Sequence, residues 1–148
     1  MIREFEYTQK DYKQFIELFY RTEYSYSIGK VSDENILHQN LYIPNHTLYY
    51  SMVNSDNYQY LAFCNSGDVI GAVSFRLIRK TCLINEFFIM RSLQLHGYGR
   101  KFYTEFEKYL IDCDVEQIRL VAFAPGSIVF WRKMGFVFWE TNLVKNLN

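Results

Sequence analysis

The chain has 148 residues, 49% of them hydrophobic, so it is long enough to bury a core and too apolar to remain disordered. Its 16 basic and 16 acidic residues balance, and the lack of a basic block argues against nucleic acid as a partner. No apolar run reaches membrane-spanning length, and the amino terminus lacks the apolar segment of a signal peptide. These features predict one cytoplasmic domain over residues 1–148, with no membrane contact.

The three cysteines, Cys64, Cys82 and Cys113, are widely spaced and form no CxxC pair, which is typical of reduced thiols in a cytosolic protein. The three histidines show no metal-ligand spacing with these cysteines. We therefore expect no metal site.

The amino-terminal third carries one strand signal followed by helix signals. Residues 2–7 alternate with a period of two and predict a strand. Thr8 is placed to cap the next helix, and Asp11 follows three residues later, as in a capping box. A second short helix is predicted over residues 32–41, and residues 46–53 fit either a helix or an irregular segment.

The middle of the chain predicts an antiparallel meander of three strands, at residues 58–64, 69–79 and 82–90. The sequence NSGD over residues 65–68 is a strong turn signal between the first two. A long amphipathic helix is predicted next, from Arg100 to Ile111.

The carboxyl-terminal part predicts a strand at residues 117–124, a short helix at 128–134 ended by Gly135, and a last strand at 136–144. The long helix is a crossover, so the strands before and after it should be parallel. The expected fold is an α+β sandwich with a mixed, mostly antiparallel central sheet flanked by helices. A ligand cleft is expected beside the carboxyl end of the third meander strand.

The turn between that strand and the long helix has the sequence QLHGYG over Gln94–Gly99. Backbone N–H groups at a helix start have no partner inside the helix, and the helix dipole adds partial positive charge there. Glycines let a ligand approach the backbone closely, so the segment predicts a socket for a cofactor phosphate. A dinucleotide site would require GxGxxG after an early strand, whereas this motif comes late and has different spacing.

Two motifs resemble the GNAT superfamily of N-acyltransferases. The acetyl-CoA motif of that family is Gln/Arg-x-x-Gly-x-Gly/Ala after a strand, and Gln94, Gly97 and Gly99 fill its three defined positions. The segment from Phe130 to Phe136 is similar to the family's Phe-Tyr-x-Lys-x-Gly-Phe helix and turn. The resemblance implies a GNAT-like acyl-CoA N-acyltransferase fold and transfer of acetyl from acetyl-CoA to a primary amine of a small molecule or peptide.

The resemblance also implies the cofactor contacts. In the family the backbone of the turn holds the pyrophosphate, and the matching residues are Gln94, Leu95, His96, Gly97, Tyr98, Gly99 and Arg100. The strand before the turn bonds the pantetheine arm through its backbone, here at Phe88, Ile89 and Met90. That strand often carries a bulge and separates from the next strand, which frees backbone groups for the cofactor.

Acetyl transfer requires a neutral amine, and Glu86 is the candidate base that accepts its proton. Glu86 precedes Ile89 by three residues in an otherwise apolar strand, and some GNAT subgroups carry a glutamate at this place. The alternative is a carboxylate at the sheet surface, paired with Arg76 or Arg119 from a neighbouring strand.

Two positions depart from the family pattern. Trp131 stands where many members have a Tyr, and an indole cannot give up a proton as a phenol can, so the general acid stays open. We expect Trp131 to be a packing residue. Ala124 stands where the family often has Asn. These departures keep a second hypothesis open, a GNAT-fold domain that binds CoA or regulates without turnover.

The remaining positions leave alternatives. His96 fits either an exposed loop residue or a neighbour of the cofactor phosphates, and the Tyr98 ring fits either packing on the sheet or exposure. The acceptor is expected against residues 20–44 and the hairpin at 58–79, with Glu23, Tyr24 and Tyr26 as candidate contacts. An acyl group longer than acetyl, and a homodimer through an exposed edge strand, also remain open.

Overall fold

The computed structural model describes residues 1–6, 8–16, 58–122 and 125–147. Its strands are β1 (Ile2–Glu4), β2 (Gln59–Asn65), β3 (Asp68–Ile78), β4 (Thr81–Ile89), β5 (Gln117–Leu120), β6 (Val137–Trp139) and β7 (Asn142–Asn146). Its α-helices are α1 (Gln9–Ile16), α2 (Tyr98–Asp112) and α3 (Pro125–Lys133), and a 3-10 turn covers Arg91–Leu93. The helix predicted at 32–41 and the segment at 46–53 lie outside the described residues.

The seven strands form one sheet in the order β1-β2-β3-β4-β5-β7-β6. Strands β1 to β4 are antiparallel neighbours in chain order, β4 and β5 are parallel, and β7 is antiparallel to both β5 and β6. Helix α2 is the crossover that a parallel pair requires. The predicted fold class, the meander and the position of the parallel pair are therefore confirmed.

The turn between β2 and β3 consists of Ser66 and Gly67, whose φ angles are 51° and 84°. Two consecutive positive φ angles define a type I′ turn, whose twist matches that of the flanking strands. The turn predicted at residues 65–68 is confirmed.

The first turn of α1 is tied to the edge of the sheet. Oγ1 of Thr8 accepts a hydrogen bond from the backbone N–H of Asp11 at 3.1 Å, as the cap prediction requires. The Asp11 carboxylate accepts two bonds from the Arg3 guanidinium, at 2.6 and 2.8 Å, and one from the Glu6 N–H at 2.7 Å. Burial alone would raise the pKa of this carboxyl, but the bonds from Arg3 and Glu6 outweigh it and hold the pKa below its ordinary value.

Helix α2 packs on one face of the sheet through buried residues at helical spacing, which are Phe102, Tyr103, Phe106 and Leu110. The Phe102 ring stacks on Phe63 of β2, and the Phe106 ring meets Phe75 of β3 edge-on. These contacts fix the start of α2 over the carboxyl end of β4.

Helix α3 begins at Pro125, and proline is favoured at a first helical position because its missing N–H needs no partner there. At its other end the Gly135 N–H donates to the Arg132 carbonyl and the Phe136 N–H to the Trp131 carbonyl, both at 3.0 Å. This pair of bonds is the Schellman arrangement, so the cap predicted at Gly135 is confirmed.

The carboxyl-terminal segment differs from the prediction of one strand at 136–144. The structure forms a hairpin of β6 and β7, with Glu140 in its turn at a φ of 58°. Strand β7 pairs with β5, and β6 becomes the outer edge of the sheet. The turn contains neither glycine nor proline, so the alternating sequence around it predicted a single strand. Strand β5 also ends earlier than predicted, at Leu120.

Candidate active site

The two parallel strands separate after three pairs of residues. Strand β4 pairs with β5 only over Thr81–Leu83, opposite Gln117–Arg119. The rest of β4 continues to Ile89 and stays paired with β3 on its other side. The expected separation of β4 from the next strand is therefore present, and it opens a gap along the second half of β4.

A bulge in β4 lies at the start of this gap. Ser74 of β3 pairs with Glu86, whereas Phe75 pairs with Ile84, so Asn85 is an extra residue on β4. The bulge changes which residues face α2. Before it Cys82 and Ile84 face the core, and after it the core-facing residues of β4 are Phe87 and Ile89.

The direction of the backbone groups near Ile89 follows from one hydrogen bond. The Met90 N–H donates to the Ile70 carbonyl of β3 at 2.8 Å. Because peptide groups alternate along a strand, those of Phe88 also face β3, and those of Phe87 and Ile89 face the gap. The Ile89 carbonyl accepts a bond from the Gln94 side chain at 3.0 Å. The Ile89 N–H and both groups of Phe87 have no backbone partner in the part of the chain that the structure describes.

The glycine turn over residues 94–97 leads directly into the first turn of α2. Gly97 precedes α2 at a φ of 83° and a ψ of 0°, in the left-handed region that favours glycine, and no side chain caps the helix. Among the described residues, no side chain accepts a bond from the N–H groups of residues 94–100. A Cβ on Gly97 would meet nothing within 4 Å. The turn is thus open to a ligand, with the amino-terminal end of a 15-residue helix behind it.

Some side chains of the turn contact the rest of the protein, and others are exposed to solvent. Gln94 folds back onto Ile89 as described, and His96 Nδ1 lies 2.8 Å from the Gln94 carbonyl oxygen. Leu95 and His96 are exposed, and Leu95 has a φ of 66°. Tyr98 is half-buried against the core, and its hydroxyl lies 3.5 Å from the Asn65 side-chain nitrogen. Of the two alternatives for Tyr98, the structure shows packing, whereas the proximity of His96 to a cofactor phosphate stays a prediction.

An aromatic cluster packs on the α2 side of the gap. The Phe87 ring lies 5.9 Å from that of Phe130 and 5.1 Å from that of Trp131. Trp131 also contacts Tyr103 and Phe136 edge-on, and only 5% of its surface is exposed. The expectation that Trp131 packs in the core is therefore confirmed.

Glu86 lies just after the bulge, on the sheet face opposite α2. Its Oε2 lies 3.5 Å from Oγ of the fully buried Ser74, and Ser74 Oγ also lies 3.4 Å from the Asn85 amide nitrogen. Arg119, one of its two predicted surface partners, instead bonds Gln117 and stacks on Trp139. The bulge therefore brings Asn85 and Glu86 together beside a buried hydroxyl at the mouth of the gap.

Several predicted positions lie outside the described residues, namely Glu23, Tyr24, Tyr26 and the remainder of 20–44, and Ala124. Within the described ranges, no three His, Cys, Asp or Glu side chains form a group that could hold a metal ion. None of the helices there combines the length and apolar content that a membrane crossing needs.

Comparison with known proteins identifies the family. The model of the acetyltransferase (GNAT) family matches residues 7–136, which is most of the chain. The chain belongs to this family, so the resemblance read from the motifs is confirmed. No curated protein matched the chain by sequence.

Solved structures share the fold at low sequence identity. A probable acetyltransferase from Staphylococcus epidermidis has a TM-score of 0.69 at 13% identity, over 100% of this chain and 99% of that one. Gcn5 of Tetrahymena has a TM-score of 0.67 at 16% identity, over 99% and 94%. The PaiA N-acetyltransferase of Thermoplasma acidophilum, solved in complex with coenzyme A, has a TM-score of 0.66 at 17% identity, over 97% and 95%.

Proposed function

We propose that this protein is an acetyl-CoA-dependent N-acetyltransferase that transfers acetyl to a primary amine of a small molecule or peptide. The observation that carries the proposal is the gap between β4 and β5, which ends at a turn whose backbone N–H groups have no side-chain partner among the described residues. Unpaired backbone groups are costly when buried, so their alignment along one path favours a ligand that bonds them. The coenzyme A bound to the Thermoplasma acidophilum structure supports this choice of ligand.

The residues fit the two parts of such a donor. The amides of Gln94, Leu95, His96, Gly97, Tyr98, Gly99 and Arg100 would bind the diphosphate at the start of α2. The pantetheine arm carries amides, and the gap-facing backbone groups of Phe87 and Ile89 would bond them. The strand contacts proposed here are those of Phe87 and Ile89, in place of the set Phe88, Ile89 and Met90 that the family resemblance implied. The peptide groups of Phe88 face β3, and the Met90 N–H is already bonded to the Ile70 carbonyl.

Glu86 would act as the general base. The acceptor amine is charged at neutral pH, and it attacks a thioester carbon only after losing a proton. A carboxylate beside the gap would take that proton, and the bulge puts Glu86 there. The donor supplies the acetyl thioester and leaves as a thiol, so the departing sulfur also needs a proton.

One observation favours the second candidate, a domain that binds CoA without turnover. Trp131 is buried among aromatic rings at the position where many family members carry a Tyr. Its indole N–H cannot protonate a leaving thiolate as a phenol can. Under the first candidate, a water molecule or another tyrosine must supply that proton.

Two measurements test the proposal and separate the candidates. Isothermal titration with acetyl-CoA and with CoA should show binding, and its absence at high micromolar concentration would exclude both candidates. Thioester consumption with a pool of primary amines should then proceed well above the rate without protein. Binding without any such consumption would leave only the CoA-binding domain.

Replacement of Glu86 by Gln tests the base. The variant should keep its affinity for acetyl-CoA and lose about 100-fold in kcat at neutral pH, the usual contribution of a general base. Replacement of Glu105, a half-exposed glutamate on α2, by Gln is the matched control and should leave kcat unchanged. Full activity of Glu86→Gln at neutral pH would exclude the proposed role.

A further inference from the structure

Ser74 is the only polar side chain in the buried part of β3. Residues 69–75 of this strand are all buried, and the others are apolar residues or glycine. Its neighbours Val73 and Phe75 face the core under α2, so Ser74 faces the other side of the sheet, as Glu86 does. Burying a hydroxyl costs free energy unless it is hydrogen-bonded, so a serine at this place needs hydrogen-bond partners.

The partners of Ser74 in the described part of the chain lie at the bulge of β4. Ser74 stands directly opposite Glu86 in the strand pairing, and its hydroxyl donates to Glu86 Oε2 at 3.5 Å. The side-chain amide of Asn85, the extra residue of the bulge, donates to Ser74 Oγ at 3.4 Å. A regular strand would point the side chains at 85 and 86 to opposite faces, so the bulge lets both reach one hydroxyl.

These three side chains form a chain of hydrogen bonds that ends on the carboxylate. The Asn85 N–H occupies a lone pair of Ser74 Oγ, which leaves the hydroxyl proton to point at Glu86. Hydrogen bonds in a chain polarise one another, and a bond to a charged acceptor is stronger than one between neutral groups. The hydroxyl therefore stabilises the ionised Glu86, the form that accepts a proton, and restricts the rotation of its carboxylate.

The contact that β3 makes with this carboxylate comes from a neutral group. Arg76 lies two residues after Ser74 on the same face, but none of the ion pairs between described residues joins it to Glu86. A guanidinium bonded to Glu86 would favour the ionised carboxylate strongly and make it a poor proton acceptor. A hydroxyl orients the carboxylate without adding a charge, which leaves it able to take a proton.

We propose that Ser74 is a positioning residue for the general base Glu86, and that Asn85 acts through Ser74. The inference rests on the proposed function, because the position of Glu86 affects the rate only if Glu86 is the base. Glu86 takes the proton of the acceptor ammonium, and the freed amine then attacks the thioester carbon. Ser74 gains and loses no proton in these steps, and its bond to Oε2 fixes the direction in which Oε1 presents its lone pairs.

Ser74→Ala tests the assignment, and it should fold because alanine removes one oxygen and keeps nearly the same volume. We expect kcat to fall about tenfold, the effect of one hydrogen bond to a charged group, with the KM for acetyl-CoA unchanged. In the Glu86→Gln background the same replacement should cost less than about twofold, because the base is already absent. Ser66→Ala removes an exposed hydroxyl in the β2–β3 turn and is the matched control, with kcat unchanged.

Asn85→Ala is a second variant, and its exposed position makes a folding defect a poor explanation of any loss. We expect kcat to fall about threefold, less than for Ser74→Ala because the hydroxyl itself remains. Combined with Ser74→Ala, the Asn85 replacement should cause no further loss, since its effect passes through the hydroxyl.

An unchanged kcat in Ser74→Ala or in Asn85→Ala would overturn the inference. Equal losses from Ser74→Ala in the unmodified protein and in the Glu86→Gln background would overturn it as well, because a purely structural role does not depend on the base. Failure of the proposed function appears separately. A protein that consumes no acetyl-CoA, or a fully active Glu86→Gln, would remove the base and with it the role of Ser74. The inference fails alone when Glu86→Gln is impaired and Ser74→Ala is not.

Discussion

The two edges of β4 differ sharply. Toward β3, β4 is paired from Thr81 to Ile89, and the Met90 N–H continues the pairing to Ile70. Toward β5, the pairing stops at Leu83. One strand therefore serves as a closed structural element on one edge and as an open binding edge on the other.

This difference shows how the fold supplies a binding edge without exposing a whole strand. An open edge usually invites pairing with other chains, and proteins protect such edges. Here the open part is flanked by the aromatic cluster of Phe87, Phe130 and Trp131 and ends at the start of α2. The changes below probe this contrast, beginning with the largest expected effect.

Trp131→Ala should produce the largest loss of stability. Trp131 is buried under the open edge, and large-to-small changes of buried aromatic residues cost about 3–5 kcal/mol in the free energy of unfolding. Trp139→Ala is the matched control, because this second tryptophan is 56% exposed and should cost below about 1 kcal/mol. Urea unfolding of both variants measures the difference. Equal losses would show that Trp131 does not anchor this region.

Gly97→Val should abolish binding of CoA, with at least a hundredfold loss of affinity, about 2.7 kcal/mol. Valine is strained at the observed φ of 83° and would displace the amides of the turn. Gly67→Val is a close control, because Gly67 has a φ of 84° and equally open surroundings but lies in the β2–β3 turn. Titration with CoA should show normal affinity for this control, and equal affinity of the two variants would refute the role of the turn.

Asp11→Asn should destabilise the protein by about 2 kcal/mol at neutral pH without changing CoA affinity, because Asp11 lies outside the binding edge. The pKa of its carboxyl is lower in the folded than in the unfolded protein. Its contribution is therefore full above the unfolded pKa of about 4 and is lost as the pH falls through the folded pKa. Urea unfolding at pH 7 and near pH 2 measures the difference in the free energy of unfolding between the unmodified protein and Asp11→Asn. This difference should shrink toward zero near pH 2, and an unchanged difference would contradict the role of the ionised Asp11 carboxylate.

Gln94→Ala should give the smallest effect. The Gln94 side chain donates to the Ile89 carbonyl at the end of the open edge, and a single hydrogen bond contributes about 1 kcal/mol. We expect about a fivefold loss of CoA affinity, with little change in the urea midpoint. Gln117→Ala is a suitable control, since Gln117 lies on the paired part of β5. An unchanged affinity in Gln94→Ala would mean that this bond does not position the turn.

Much of the fold follows from local sequence patterns. The meander, the turn at residues 65–68, the crossover helix and the cap at Gly135 each have a local signal, and the structure confirms them. The carboxyl-terminal hairpin has no such signal. Glu140 adopts a positive φ although this position holds neither glycine nor asparagine, the usual signals for one. The turn is instead stabilised by the pairing of β7 with β5, which a local sequence pattern does not show.

The cofactor and catalytic residues stay predictions, but the structure shows which geometric features around them the sequence indicated. The glycine turn and the separation of the strands followed from the motif and its family, whereas the direction of the peptide groups along β4 could be derived only from the strand register and the Met90–Ile70 hydrogen bond. A signal for the bulge was present, since Asn85 and Glu86 are adjacent polar residues that break the apolar alternation of β4. The support of Ile89 by Gln94 and the fixing of Arg119 by Gln117 depend on side-chain geometry that a sequence does not contain.

The central claim is that the open edge of β4 and the amides of the following turn together bind one CoA molecule. Amide chemical shifts measured by NMR during a titration with CoA test it most directly. We expect the largest changes at Phe87, Ile89 and the residues of the 94–100 turn, and little change at Ala72 and Val73 of β3, the strand that pairs with the closed edge. Saturable binding that leaves the amides of the turn unmoved, or that shifts the closed edge instead, would contradict the account.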